Sequence, residues 1–113
     1  MKSGMEYMVE CMNWYLSENK MGIFCLGNGI AADFVQCVVP TLRQDFRGTF
    51  ENVSMWQYLC QITDAVTSYG GFSGCLPSEK ISWGKLSKDT PAFTINSDFT
   101  IVAPLIFAYV LGL

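Results

Sequence analysis

The sequence contains no histidine. The side chain most often used as a base near neutral pH, and the commonest metal ligand, is therefore missing. Any chemistry has to come from amines, carboxylates, thiols or a borrowed cofactor. Charge is scarce as well: 15% of 113 residues, with seven Lys and Arg against ten Asp and Glu, for a net −3. The basic residues form no run, which excludes a general nucleic-acid surface. Cysteine occurs five times (Cys11, Cys25, Cys37, Cys60 and Cys75) without any C-x-x-C pair. An odd count and no histidine speak against a zinc site. Cys11, Cys25, Cys37 and Cys60 sit in apolar runs as small hydrophobes, the usage of a reduced, cytoplasmic protein. No apolar stretch reaches the roughly 20 residues that cross a bilayer, so no membrane partner is expected. The closing segment "FTIVAPLIFAYVLGL" is uncharged but too short, and Pro104 lies near its start. Met1 leads into an amphipathic segment and not into a secretory signal.

What is abundant is apolar surface, at 50% of residues, enough for one small domain with a core. Residues 4–18 place Met5, Met8, Val9, Met12 and Leu16 at helical spacing. "MGIFCLG" (21–27) is a continuous apolar run ending in glycine, the form of a buried parallel strand. Residues 30–39 read as a helix closed by Pro40, and 41–54 as a polar connection. Strands follow over 56–62 and 92–96, separated by a long Gly/Ser loop (63–78) and a short helix near Ser78. Residues 100–112 form the last helix. This alternation predicts an α/β fold, a Rossmann-like, mostly parallel sheet with flanking helices. The bare, uncharged last segment fits part of a longer protein better than a complete domain.

In parallel sheets, sites collect at the carboxyl ends of strands, where "LGNGIAAD", "TDAVTSYGGFSG" and "NSDFT" fall. Gly27-x-Gly29-x-x-Ala32 meets a loose dinucleotide fingerprint, but a tight strand-to-helix turn needs the same glycines. The loop with Gly70, Gly71 and Gly74 is long enough to be functional or merely a surface loop. Ser82-Trp83-Gly84-Lys85 sets a lysine beside an indole. Lys85 is either a solvated charge after a core tryptophan, or a desolvated amine able to attack a carbonyl or imine carbon.

"SGCLPSEKISWGKL" closely resembles the active-site segment of the deoxyhypusine synthase family, which carries an S-G-x-x-P-x-E-x-x-[ST]-W-G-K pattern. "MKSGMEYM", "GIFCLGNGIAADFVQCVVP", "QITDAVTSYGGFSG" and "SDFTIVAPLIFAYVLGL" resemble further family segments in the same order, over essentially residues 1–113. The resemblance implies the C-terminal part of an NAD-dependent catalytic domain. That enzyme moves the 4-aminobutyl group of spermidine, through a lysine imine, to an acceptor amine. By the same resemblance Lys85 is the catalytic lysine. Trp83, Glu79 and Asp33 bind substrate, and Gly27, Asn28, Gly29, Thr63, Asp64, Gly70 and Asp98 lie near the NAD. Family members assemble as tetramers with sites shared between subunits.

The departures are informative. Eukaryotic members have an acidic loop, and a histidine after the glycine turn; here Tyr69, Phe72 and Asp33 stand there, as in the bacterial deoxyhypusine synthase-like and homospermidine synthase branch. Phe99, after Asp98, is bulkier than the family's usual residue and crowds the nucleotide. The branch resemblance implies a protein lysine as acceptor. The slot made more aromatic by Tyr69 and Phe72 predicts instead that free putrescine is accepted at least as well as a protein lysine, as by a homospermidine synthase. An inactive fragment serving only subunit assembly, and a free-standing α/β binding module, are the readings without this chemistry.

Overall fold

A computed structural model of the chain describes residues 1–18, 20–46, 48–66 and 76–113. Helix α1 (Gly4–Ser17) starts where Ser3 accepts the Glu6 amide and Glu6 reaches back to the Ser3 amide, a capping box. It buries Met12 and Tyr15. The expected stripe is thus turned: Met5 (73% exposed) and Val9 face outward, and Met8, Cys11, Met12 and Tyr15 meet the core. Tyr15 decides this orientation. Its ring packs edge-on against Trp56 at 4.7 Å between centroids, and its hydroxyl donates to the Ser54 carbonyl.

Three parallel strands, β1 (Gly22–Leu26), β2 (Tyr58–Thr63) and β3 (Ala92–Asn96), lie in the order β1-β2-β3. Ile23 pairs with Leu59, which pairs with Ala92. The parallel α/β fold is the one expected. Burial in β1 alternates, with Ile23 and Cys25 covered and Phe24 and Leu26 half-exposed, so its apolar run is not evidence of two covered faces. The covered face carries Met12, Tyr15, Ile23, Cys25, Val38, Val39, Leu42, Trp56, Leu59 and Leu86 as one core. On the other face, α5 (Phe99–Leu111) leaves a groove of about 490 Å³ among Phe24, Tyr58, Phe93 and Ile106.

Helix α2 (Ile30–Gln36) runs into α3 (Val38–Pro40) and then into a π-helical turn, Thr41–Asp45. Pro40 does not stop the helix as expected. Lacking an N–H, it cannot bond the carbonyl four residues back, that of Gln36. The indole Nε1 of Trp56 donates to that carbonyl at 3.4 Å instead. The ladder resumes at once, Thr41 N donating to Cys37 O at 3.0 Å. An indole from the next strand entry therefore fills the gap that proline opens, and the polar stretch after Pro40 begins as helix. Among the described residues, no helix is long and apolar enough to cross a membrane.

Candidate functional site

Helix α4 (Pro77–Ser82) begins one residue before Ser78, with Pro77 at its first position. Glu79, third in the helix, accepts the Leu76 amide at 3.0 Å, so the acid of a capping arrangement is present after all. The helix ends on the motif that drew notice in the sequence. Gly84 takes φ +77°, its amide donates to Ile81 O, and the Lys85 amide donates to Lys80 O, both at 3.0 Å. This pair of bonds is a Schellman stop, and the left-handed residue it needs is the glycine. The reversal sorts the flanking side chains. Trp83 stays 65% exposed, while Lys85 turns inward to 6%. The Lys85 carbonyl then accepts the Trp56 amide at 3.3 Å, and the next residue, Leu86, bridges to Trp56 in parallel.

Inside, Lys85 Nζ donates to Asp33 Oδ1 at 2.6 Å. Asp33 lies in the first turn of α2, directly after the glycine turn. Its other oxygen, Oδ2, accepts the Cys37 thiol one helical turn later, at 3.5 Å. Burial pushes the Cys37 thiol above its ordinary pKa, and the neighbouring carboxylate adds to this while Lys85 opposes it. A protonated thiol, a carboxylate and an amine thus stand in line. The amine is out of water and has a proton acceptor within hydrogen-bond reach, the arrangement a nucleophilic amine requires.

A second feature sits at the carboxyl ends of all three strands. Leu26, Gly27, Asn28, Thr63, Asp64, Ser97, Asp98 and Phe99 line a cavity of about 330 Å³, at the small end of ligand pockets. It gathers Gly27, Asn28, Thr63, Asp64 and Asp98 from the expected cofactor set. Gly29 stands beside it in the turn; both glycines take φ near +90°, and a Cβ on Gly29 would meet nothing. The positive φ alone accounts for glycine at that position. Gly70, Tyr69 and Phe72 lie outside the described residues. Asp98 caps α5, accepting the Thr100 amide at 2.9 Å and its hydroxyl at 2.7 Å. Those two bonds, hydroxyl first, hold its carboxyl below the ordinary carboxylate pKa.

The site brings together Lys85 with Asp33, and the five cavity residues with one another. Trp83 and Glu79 remain on the exposed side of α4. Sequence reasoning passed over Cys37 as a partner of Asp33. It also passed over two wholly buried polar residues, Lys80 on α4 and Gln61 in β2. The signal for Gln61 was available, a polar residue within the apolar run of a central strand. Lys80 carried none.

Fold and site together define an α/β protein with a polar cavity at its strand ends and a buried lysine–carboxylate pair presented by a helix stop. A model of the deoxyhypusine synthase family matches residues 4–110. The chain is 34% identical over 101 residues to the probable deoxyhypusine synthase 2 of Archaeoglobus fulgidus, covering 87% of this chain and 32% of that protein. It is 38% identical over 98 residues to a deoxyhypusine synthase-like protein of Nostoc punctiforme, covering 85% and 24%. With the deoxyhypusine synthase-like protein of Thermosynechococcus vestitus it shares 45% over 97 residues, covering 84% and 23%. The chain belongs to the deoxyhypusine synthase family. It spans between about a quarter and a third of the length of the curated relatives it matches.

Proposed function

We propose that residues 1–113 are the lysine-bearing, C-terminal part of a deoxyhypusine synthase-like, NAD-dependent aminobutyltransferase. The observation that carries this reading is the buried Lys85 Nζ held 2.6 Å from Asp33 Oδ1 within the family's matched segment. Lys85 yields a proton to Asp33 and, as a free amine, adds to the imine carbon of oxidised spermidine. The C–N bond to 1,3-diaminopropane breaks, its electron pair staying with the departing amine. The aminobutyl group remains on Lys85 as an imine until an acceptor amine displaces it. Trp83 and Glu79, exposed on α4 and at its C-terminal end, offer a π face and a carboxylate to a polyamine cation.

The cavity residues fit the ribose portions of NAD. Asp64 and Asp98 are acceptors for sugar hydroxyls, with Asp98 kept ionised by its helix cap. Among the described residues, the cavity lining carries no Lys or Arg to meet the pyrophosphate. NAD, when bound, supplies hydride acceptance and return. The acceptor amine is a protein lysine, and the whole protein works as a cytoplasmic homo-oligomer.

The test is borohydride trapping of the whole protein with NAD and labelled spermidine. Label is expected on Lys85 and absent from Lys85→Ala; an adduct surviving in that variant overturns the assignment. A competition between a purified translation-factor substrate and millimolar putrescine reads the acceptor. Deoxyhypusine is expected, and homospermidine as the sole product would replace the protein lysine by putrescine.

A further inference from the structure

The second buried lysine has no part in the chemistry above, although it lies on the short helix whose stop presents Lys85. Lys80 is 0% exposed, and its Nζ donates to Gln61 Oε1 within the sheet. Gln61, 1% exposed, donates its own Nε2 to the Gly27 carbonyl at 3.1 Å. Gly27 is the first residue past β1, with φ +91°, and lines the cavity at the strand ends. A continuous polar connection therefore runs from α4, beneath the sheet's covered face, to the glycine turn. Both ends are built against cost. A lysine amine is taken wholly out of water, and an amide occupies a central strand position that an aliphatic side chain would fill with less penalty.

We propose that Lys80 is a positioning residue for the cavity, setting the orientation of the Gly27 peptide through Gln61. The Gly27 peptide plane also fixes the Asn28 amide that follows it. Lys80 orients Gln61 by donating to it: its Nζ takes the carbonyl oxygen of the amide, which leaves the NH₂ end toward Gly27. The helix whose stop presents Lys85 and the turn that borders the cavity are thereby one mechanical unit. The consequence for NAD rests on the functional reading above; the connection itself does not.

Two variants of the whole protein separate these. Lys80→Met keeps the length of the side chain and removes the donor to Gln61 Oε1, leaving that buried oxygen unpaired by it at a cost of about 1–3 kcal/mol, and a thermal melt checks that the variant is folded. Gln61→Glu keeps an acceptor for Lys80 but loses the donor to Gly27. In both, hydrogen exchange at the Gly27 amide, which donates to Ile62 O at 2.7 Å, is expected to rise at least tenfold when measured without NAD, with exchange in the body of β2 unchanged. The NAD concentration for half-maximal rate is expected to rise about tenfold, with kcat within twofold, and the double variant should be no worse than either single one. Unchanged exchange at the turn overturns the proposal, as does a fall in kcat without a change in the NAD requirement. Faster exchange in a protein that binds no NAD sustains the connection and overturns the functional reading instead.

Discussion

At the scale of single residues, the position of Lys85 is over-determined. Its backbone is held at both N–H and C=O, and its amine is held by Asp33. Asp33 is the group on which the proposed chemistry leans. Asp33→Asn removes the proton acceptor while keeping shape, and the rate of imine formation on Lys85 is expected to fall about a hundredfold or more, the usual contribution of a positioned base. Single-turnover trapping measures this; a rate within threefold of the parent assigns the proton elsewhere. The thiols give a pH prediction. Burial raises the pKa of Cys25, Cys37 and Cys60 in the fold. A raised folded value means that their contribution to stability is complete below the unfolded thiol pKa of about 8.5 and is lost as pH climbs through the higher folded values. Denaturant midpoints should therefore decline on the alkaline side of that value, and Cys60→Ala should decline less.

Among elements, the helix stop at Gly84 is the one most open to test. An L-residue there must adopt the left-handed region, at about 1–2 kcal/mol, and its Cβ would come within 3.3 Å of Gln44 Nε2. Gly84→Ala should lower stability by that amount and slow trapping at Lys85 as the lysine leaves its seat; urea midpoints and adduct yield read the two effects. The indole under Pro40 gives a companion case. Trp56→Phe orphans the Gln36 carbonyl, a loss of about 1–3 kcal/mol. These two sites also mark how much was legible in the sequence. The strand over Ala92–Asn96 and the general α/β alternation were readable, because period and turn residues are local. The continuation past Pro40 was not, because the bond that allows it comes from Trp56, twenty positions beyond the Gln36 carbonyl that it reaches. Lys85 was legible through a motif, whereas Lys80, equally buried, stands in no apolar period that would betray it.

The whole molecule shows a charge-free helix on a half-covered sheet. In α5, Ile101, Leu105, Tyr109, Val110 and Leu111 are all exposed, and Phe24, Tyr58 and Phe93 border the groove beside it. Contiguous apolar surface of this kind seeks a partner. Residues 1–113 produced alone should sediment as oligomers or aggregates and bind NAD weakly, while the whole protein remains discrete. A soluble monomer with micromolar NAD affinity would contradict this.

The contact between Lys85 and Asp33 joins positions 52 apart in the chain. Bringing such distant points together in a flexible polymer costs about 3.5 kcal/mol from the length-dependent part of loop closure alone. Neither α2 nor α4 can reduce that cost alone; it is offset only when the sheet between them has assembled. Lys85 and Asp33, the proposed nucleophile and its proton acceptor, therefore meet only as that sheet assembles. Under the proposed function, a misassembled molecule is a silent one, unable to pick up a reactive polyamine fragment that it could not then deliver.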